Sequence, residues 1–288
     1  MFVREGPSAG RARADGFAPA DRAALAGCGV VAMLVPDEAQ WDLVDAHVRP
    51  LAPPGALLLF AHGFALAHGG VERVRADLDV ALVGPLGPGT LLRSRFADGR
   101  GLPGLFAPVR NVTGAARDRA LAYAAALRMT RAGLLETTLQ EEVVSDLFAE
   151  QVVLTGGVVE LMRGAWETLV ESGVSEQVAY YSCVQELKQI LDVVHAHGIA
   201  GMRERISGTA RYGGITRGPR VVGADARLEM GRILAEIRSG SFARELADAT
   251  GRGEAGAPAP PDARHPMEEA GRWVRRHLGE VDTPRGEP

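Results

Sequence analysis

Four apolar runs of strand length, alternating with helical stretches, fill the segment from Val30 to Val109. Val30 to Val35 is stopped by Pro36, and a helical stretch from Glu38 to Val48 follows. Ala56 to Ala61 is entered through the Pro53-Pro54-Gly55 turn. Val80 to Val83 ends at Gly84-Pro85, and Leu105 to Val109 is the fourth. A continuously apolar strand is covered on both faces, and strands separated by helices run parallel. The pattern predicts a doubly wound α/β domain.

From about Arg131 the texture changes to helical periods over 141–154, 157–171, 176–195 and 226–238. Ser175 before Glu176 is a helix start, and Gly198 a stop. The predicted organisation is therefore an α/β domain over 1–131 and an all-helical domain over 132–245. Residues 246–288 would form a linker, a short helix and a tail. The linker is the Gly-, Ala- and Pro-rich stretch Gly251 to Pro261, and the helix is Pro266 to Leu278.

Composition removes several function classes. With 46% hydrophobic and 24% charged residues over 288 positions, the chain can bury a sizeable core. A formal net charge of −4 offers no basic surplus for nucleic acid. No apolar stretch approaches the ~20 residues of a membrane helix, and no secretory leader is evident. Cys28 and Cys183 are far apart and form no CxxC pair, so they read as reduced core thiols of a cytoplasmic protein. Two GxGxxG matches, 99–104 and 251–256, do not lie between a strand and the helix it opens, which phosphate binding requires.

Asp146 and Glu150 are spaced i, i+4 on a predicted helix and share a face. Such a pair is either a solvated acidic face or a site for a divalent cation with hard oxygen ligands, such as Mg2+. Glu186 lies on a later helix near Lys188, where it is either a surface residue or a further ligand. His62 falls just past a strand, at the carboxyl edge where such sheets bind ligands; it is either structural or functional.

At these residues the sequence resembles ketol-acid reductoisomerase (acetohydroxyacid isomeroreductase) in its short form. The resemblance is carried, in the family's order, by VREGPSAGRARADGF, VVAMLVPDEAQ, LLLFAHGF, VGPLGPG, RAGLLETTLQEEVVSDLFAEQVVLTGG, AYYSCVQELKQILDVVHAHGIAGMRERISGTARYGG and HPMEEAG. It implies a Rossmann-like domain followed by a helical domain. It also implies NADPH and two Mg2+ ions acting on an acetohydroxy acid, 2-acetolactate or 2-aceto-2-hydroxybutyrate. An alkyl group migrates, and hydride then reduces the new ketone to a 2,3-dihydroxy acid on the way to valine and isoleucine.

Carried over by position, the resemblance makes Asp146 the ligand bridging both metals, Glu150 a ligand of one and Glu186 a ligand of the second. Ser207 would hydrogen-bond the substrate, and His62 would be the active-site histidine. Arg4 and Ser8 would meet the adenosine 2′-phosphate. Asp37, Glu38 and Gln40 would form a cofactor-contacting turn, with Gly89 near the cofactor. A homodimer or higher homo-oligomer built by interlocking helical domains is implied as well, with no nucleic-acid or membrane partner.

The sequence departs from the family at four places. It starts at what would be the second strand, without the glycine-rich loop, so a strand is expected to be missing from the centre of the sheet. Ser182 stands where the family has a glutamate. Leu86 stands where it has a lysine. Gly208 and Arg211 stand where it has two acids. Each change weakens charge stabilisation, the term that usually dominates catalysis. The alternative to an active enzyme is an impaired or divergent paralogue serving as a structural or interaction partner.

Overall fold

The computed structural model describes residues 2–3, 6–251 and 264–277. Arg4, the predicted linker beyond Gly251 and the tail after His277 lie outside the described residues. The chain divides into two compact units, Met1–Val143 and Val144–Thr283.

The first unit begins with α1 (Pro7–Ala14) and is organised on a five-stranded sheet. Its strands are β1 (Val30–Met33), β2 (Leu57–Phe60), β3 (Asp79–Pro85), β4 (Gly104–Arg110) and β5 (Leu134–Glu136). All four apolar runs are strands, paired in the order β1-β2-β3-β4-β5. The helices are α2 (Asp37–Leu43), continued by a π segment and by α3 (Arg49–Leu51), then α4 (Phe64–Gly69), α5 (Gly89–Ala97), α6 (Ala116–Ala126) and α7 (Met129–Ala132).

Alternation along β2 shows why its run is apolar throughout. Leu58 and Phe60 pack with Val44, Val48 and Leu66 on one face. Leu57 and Leu59 pack with Ala81, Val83, Phe106 and the α6 stripe Ala116, Ala120 and Ala124 on the other. Each fully buried Leu or Phe contributes roughly 1.5–3 kcal/mol. The i, i+4, i+8 alanines bring the α6 backbone close against the sheet.

Two expectations are corrected. The sheet is not wholly parallel: β1, β2 and β3 are parallel, but β4 runs antiparallel to β3, and β5 is parallel to β4. An apolar run specifies burial and carries no information on direction. Among the described residues β1 is an edge strand, pairing with β2 over Val30–Met33. Finally, strand structure does not stop at Arg131, since β5 follows it.

The segment 99–104 runs from α5 into β4 and opens no helix. Gly101 has φ +78, and a Cβ there would overlap the Arg128 carbonyl, so glycine is required for close approach of two backbones. Asp79, at the start of β3, is wholly buried. It accepts the amide hydrogens of Val112 at 2.7 Å and Thr113 at 3.0 Å, as well as the Thr113 hydroxyl.

Helix α8 (Leu139–Ala149) runs from the first unit into the second and passes into a π segment, Glu150–Leu154. The second unit continues with α9 (Gly157–Glu171) and α10 (Glu176–Tyr180). A π segment, Tyr181–Gln185, leads into α11 (Glu186–Arg205), which is broken at Gly198 (φ 70, ψ 174), the predicted stop. Next come α12 (Gly208–Val221), α13 (Ala224–Ser239), α14 (Ser241–Gly251) and α15 (Pro266–His277). Its core joins Trp166, Ala179, Tyr180, Met267, Ala270 and Val274. Among the described residues no helix is long and apolar enough to cross a membrane.

Candidate functional site

The parallel strands deliver their following residues to one edge of the sheet. After β1, Pro36 precedes α2, whose first residue is Asp37. After β2, the Ala61-His62-Gly63 turn leads into α4. His62 Nε2 lies 2.9 Å from Asp37 Oδ2, and its Nδ1 accepts the Phe64 amide hydrogen at 3.2 Å. Gln40 is buried. Its amide nitrogen donates to Asp37 Oδ1 at 2.9 Å and to the Val35 carbonyl at 3.1 Å.

Helix α8 closes on the same turn. The Gly63 amide donates to Glu142 Oε2 at 3.0 Å, and Glu142 is only 3% exposed. Two glycines make room for this carboxylate. A Cβ on Gly63 would sit 2.7 Å from Glu142 Oε2, and one on Gly84 would sit 3.4 Å from Oε1. Asp146 follows Glu142 by four residues on the same uninterrupted helix, so it projects from the same face one turn on. One ligand atom each from His62, Glu142 and Asp146 lies within 4.8 Å of the others. Two carboxylates at this spacing are hard oxygen donors and fit Mg2+.

Of the residues singled out in the sequence, the structure brings His62, Asp37, Gln40 and Asp146 to this edge. Glu38 is exposed in the first turn of α2. Gly89 opens α5 at the end of the loop after β3; this helix has no acid in its first turn, whereas α2 opens on two. The macrodipole therefore favours an anion at α5 over α2. Ser8 is exposed on α1 and accepts a hydrogen bond from Arg11 at 3.2 Å. Arg4 lies outside the described residues.

In the second unit, Glu150 is the first residue of one π segment, and Glu186 directly follows the other. Both are exposed. Such widened turns re-aim side chains and recur at functional sites. Gly156 and Gly157 end the first of them: a Cβ on either would overlap the carbonyl five residues earlier. Ser207 caps α12, its Oγ accepting from the Ala210 amide at 3.1 Å. Ser182 is exposed within the second π segment, and Leu86 is 54% exposed.

Sequence reasoning did not single out Glu142. The available signal was its spacing, since Glu142, Asp146 and Glu150 form an i, i+4, i+8 series.

Comparison with known proteins bears on the whole chain. The NADPH-binding domain of acetohydroxy acid isomeroreductase matches residues 2–133, and the C-terminal domain of ketol-acid reductoisomerase matches residues 139–280. An NADH-preferring ketol-acid reductoisomerase from an uncultured archean is similar in structure, with a TM-score of 0.90 and 37% identity. The match covers 97% of this chain and 85% of that one. A semialdehyde dehydrogenase NAD-binding protein from Cupriavidus necator, solved with calcium and NAD, has 20% identity and a TM-score of 0.59, over 82% of this chain and 87% of that one. A pyrroline-5-carboxylate reductase from Coxiella burnetii has 12% identity and a TM-score of 0.52, over 80% and 82%. These last two share the fold alone. With both domain families matched in order and the archaeal enzyme alike over 97% of this chain, the chain belongs to the ketol-acid reductoisomerase family.

Proposed function

We propose that this protein is an NADPH- and Mg2+-dependent ketol-acid reductoisomerase. It would convert 2-acetolactate or 2-aceto-2-hydroxybutyrate into 2,3-dihydroxy acids for branched-chain amino-acid synthesis. The observation that carries the proposal is the convergence of Glu142, Asp146 and His62 at the carboxyl edge of the sheet. When bound, Mg2+ supplies Lewis acidity for the alkyl shift and the nicotinamide supplies hydride.

The remaining work falls to the chain's own side chains. Asp146 and Glu142 present carboxylate oxygens to the cation, and Glu150 and Glu186 supply further ones. The Glu142 bond to the Gly63 amide holds the α8 face against the turn that carries His62. The Ser207 hydroxyl hydrogen remains for the substrate while its oxygen caps α12. Asp37, Glu38, Gln40 and Gly89 would contact the cofactor, and Arg4 and Ser8 would meet its adenosine 2′-phosphate.

We propose a homodimer formed through the helical unit. Large apolar side chains there are exposed, among them Leu154, Val178, Ile199, Tyr212, Ile215 and Leu228. Exposed apolar side chains of this size are what an interaction face would cover.

A second reading, an impaired paralogue, is favoured by Leu86 and Ser182, which place an aliphatic group and a hydroxyl where a cation and a carboxylate are expected. One experiment separates the two: NADPH oxidation with 2-acetolactate and Mg2+, alongside NADPH binding by calorimetry. Turnover supports the enzyme, binding without turnover supports the paralogue, and absence of binding refutes NADPH as the cofactor. A parallel titration with NADH reads cofactor preference.

A further inference from the structure

The hydrogen bonds around His62 require a single tautomer. A backbone amide can only donate, so the Nδ1 that receives the Phe64 amide hydrogen must be bare. A neutral imidazole then carries its proton on Nε2. That atom lies 2.9 Å from Asp37 Oδ2, and a carboxylate can only accept. The two contacts thus demand the same state, with Nδ1 bare and Nε2 protonated.

Asp37 is itself held. Its second oxygen receives one amide hydrogen of Gln40, and the other hydrogen of that amide goes to the Val35 carbonyl. Gln40 is 4% exposed, so its amide cannot trade these bonds for water. Asp37 is also the first residue of α2, where the helix macrodipole favours a negative charge. The result is a short polar chain from a buried amide, through a carboxylate, to an imidazole. Its exposure rises outward, from Gln40 to Asp37 at 30% and His62 at 39%. Metal ligation by His62 would break one of these two bonds.

We propose that Asp37, anchored by Gln40, is a positioning residue that locks His62 as the Nε2–H tautomer. His62 then serves the site as a hydrogen-bonding and proton-carrying group, and the cation is left to the carboxylates of Glu142 and Asp146. The catalytic consequence rests on the reductoisomerase reading, whereas the tautomer does not.

The test is 15N NMR of the full-length protein labelled at histidine, at a pH where the ring is neutral. His62 is assigned with His62→Gln. The wild type is expected to show a bare Nδ1 and a protonated Nε2, unmoved by added Mg2+. In Asp37→Ala and Gln40→Leu both nitrogens should shift toward the averaged values of free imidazole. Asp37→Asn, which keeps an acceptor oxygen, should preserve the tautomer and guards against a folding failure of the alanine variant. With 2-acetolactate, Asp37→Ala should lower kcat about 10–100-fold, the usual range for a supporting-shell partner, without raising the Mg2+ concentration needed for half-maximal rate. The proposal is overturned by an Nδ1–H tautomer in the wild type, by a ring nitrogen that moves on Mg2+ addition, by unchanged signals in Asp37→Ala, or by an unchanged kcat in that variant. Absence of all turnover in a wild type with the expected tautomer would sink the reductoisomerase reading and leave the lock standing.

Discussion

Gly63→Ala tests whether the turn carrying His62 is fitted to α8. The backbone at Gly63 has φ −94 and ψ −2, so alanine meets little conformational penalty and any cost is steric. The added Cβ would lie 2.6 Å from Leu139 Cδ1, 2.6 Å from Val143 Cγ2 and 2.7 Å from Glu142 Oε2, whereas ordinary contact begins at 3.4 Å. All three atoms belong to side chains of α8, so relief requires those side chains, the helix or the turn to give by close to 1 Å. Overpacking of this kind costs roughly 1–3 kcal/mol. Reduced entropy of the unfolded chain returns about 0.4–1 kcal/mol. The expected outcome is a net loss of about 1–2 kcal/mol in urea denaturation. Because Glu142 moves with the contact, kcat for 2-acetolactate should fall by up to ~10²-fold, the scale of a 1 Å misplacement. An alanine variant with wild-type urea midpoint and wild-type kcat would refute the packing argument.

Gly164→Ala is the opposite case. This glycine lies inside α9 with nothing within 4 Å of the added Cβ, so the variant should gain roughly 0.5–1 kcal/mol; a lower melting temperature would contradict that. Asp79→Asn probes acid stability. Burial alone would raise the Asp79 pKa, but the Thr113 hydroxyl, the Thr113 and Val112 amides and Arg119 outweigh it and hold the carboxyl below its ordinary value. A depressed folded pKa stabilises fully above the unfolded value and is lost as pH falls through the folded one. The wild type should therefore exceed Asp79→Asn in urea midpoint at pH 7, with the gap narrowing below about pH 4. A gap that stays constant down to pH 3 would show that the carboxylate's ionisation contributes nothing.

Much of the fold was readable because burial on both faces leaves a local trace. The runs at β1, β2, β3 and β4 all became strands, and 157–171 matches α9 residue for residue. β5 was not readable. It has three residues, two of them exposed, and it is a strand because β4 offers it an edge. Helix α12 was missed because glycines and arginines interrupt its apolar period and its residues are almost all exposed. At the site, position and spacing singled out His62 and Asp146 but left each open between a structural or solvated role and a functional one. Glu142 was not singled out, because nothing local distinguishes a carboxylate bonded to the Gly63 amide from a solvated one.

The residue sequence alone determined where β1 to β4 and helix α9 form, since periodicity and turn chemistry act over a few neighbours. It also determined the family, through the order and wording of long segments. Only the tertiary structure decided that β4 runs antiparallel, that Asp37 faces His62 across 25 positions and that Glu142 meets Gly63 across 79. These are contacts between residues distant in sequence. Their energies depend on the path of the chain through space, which no local pattern encodes.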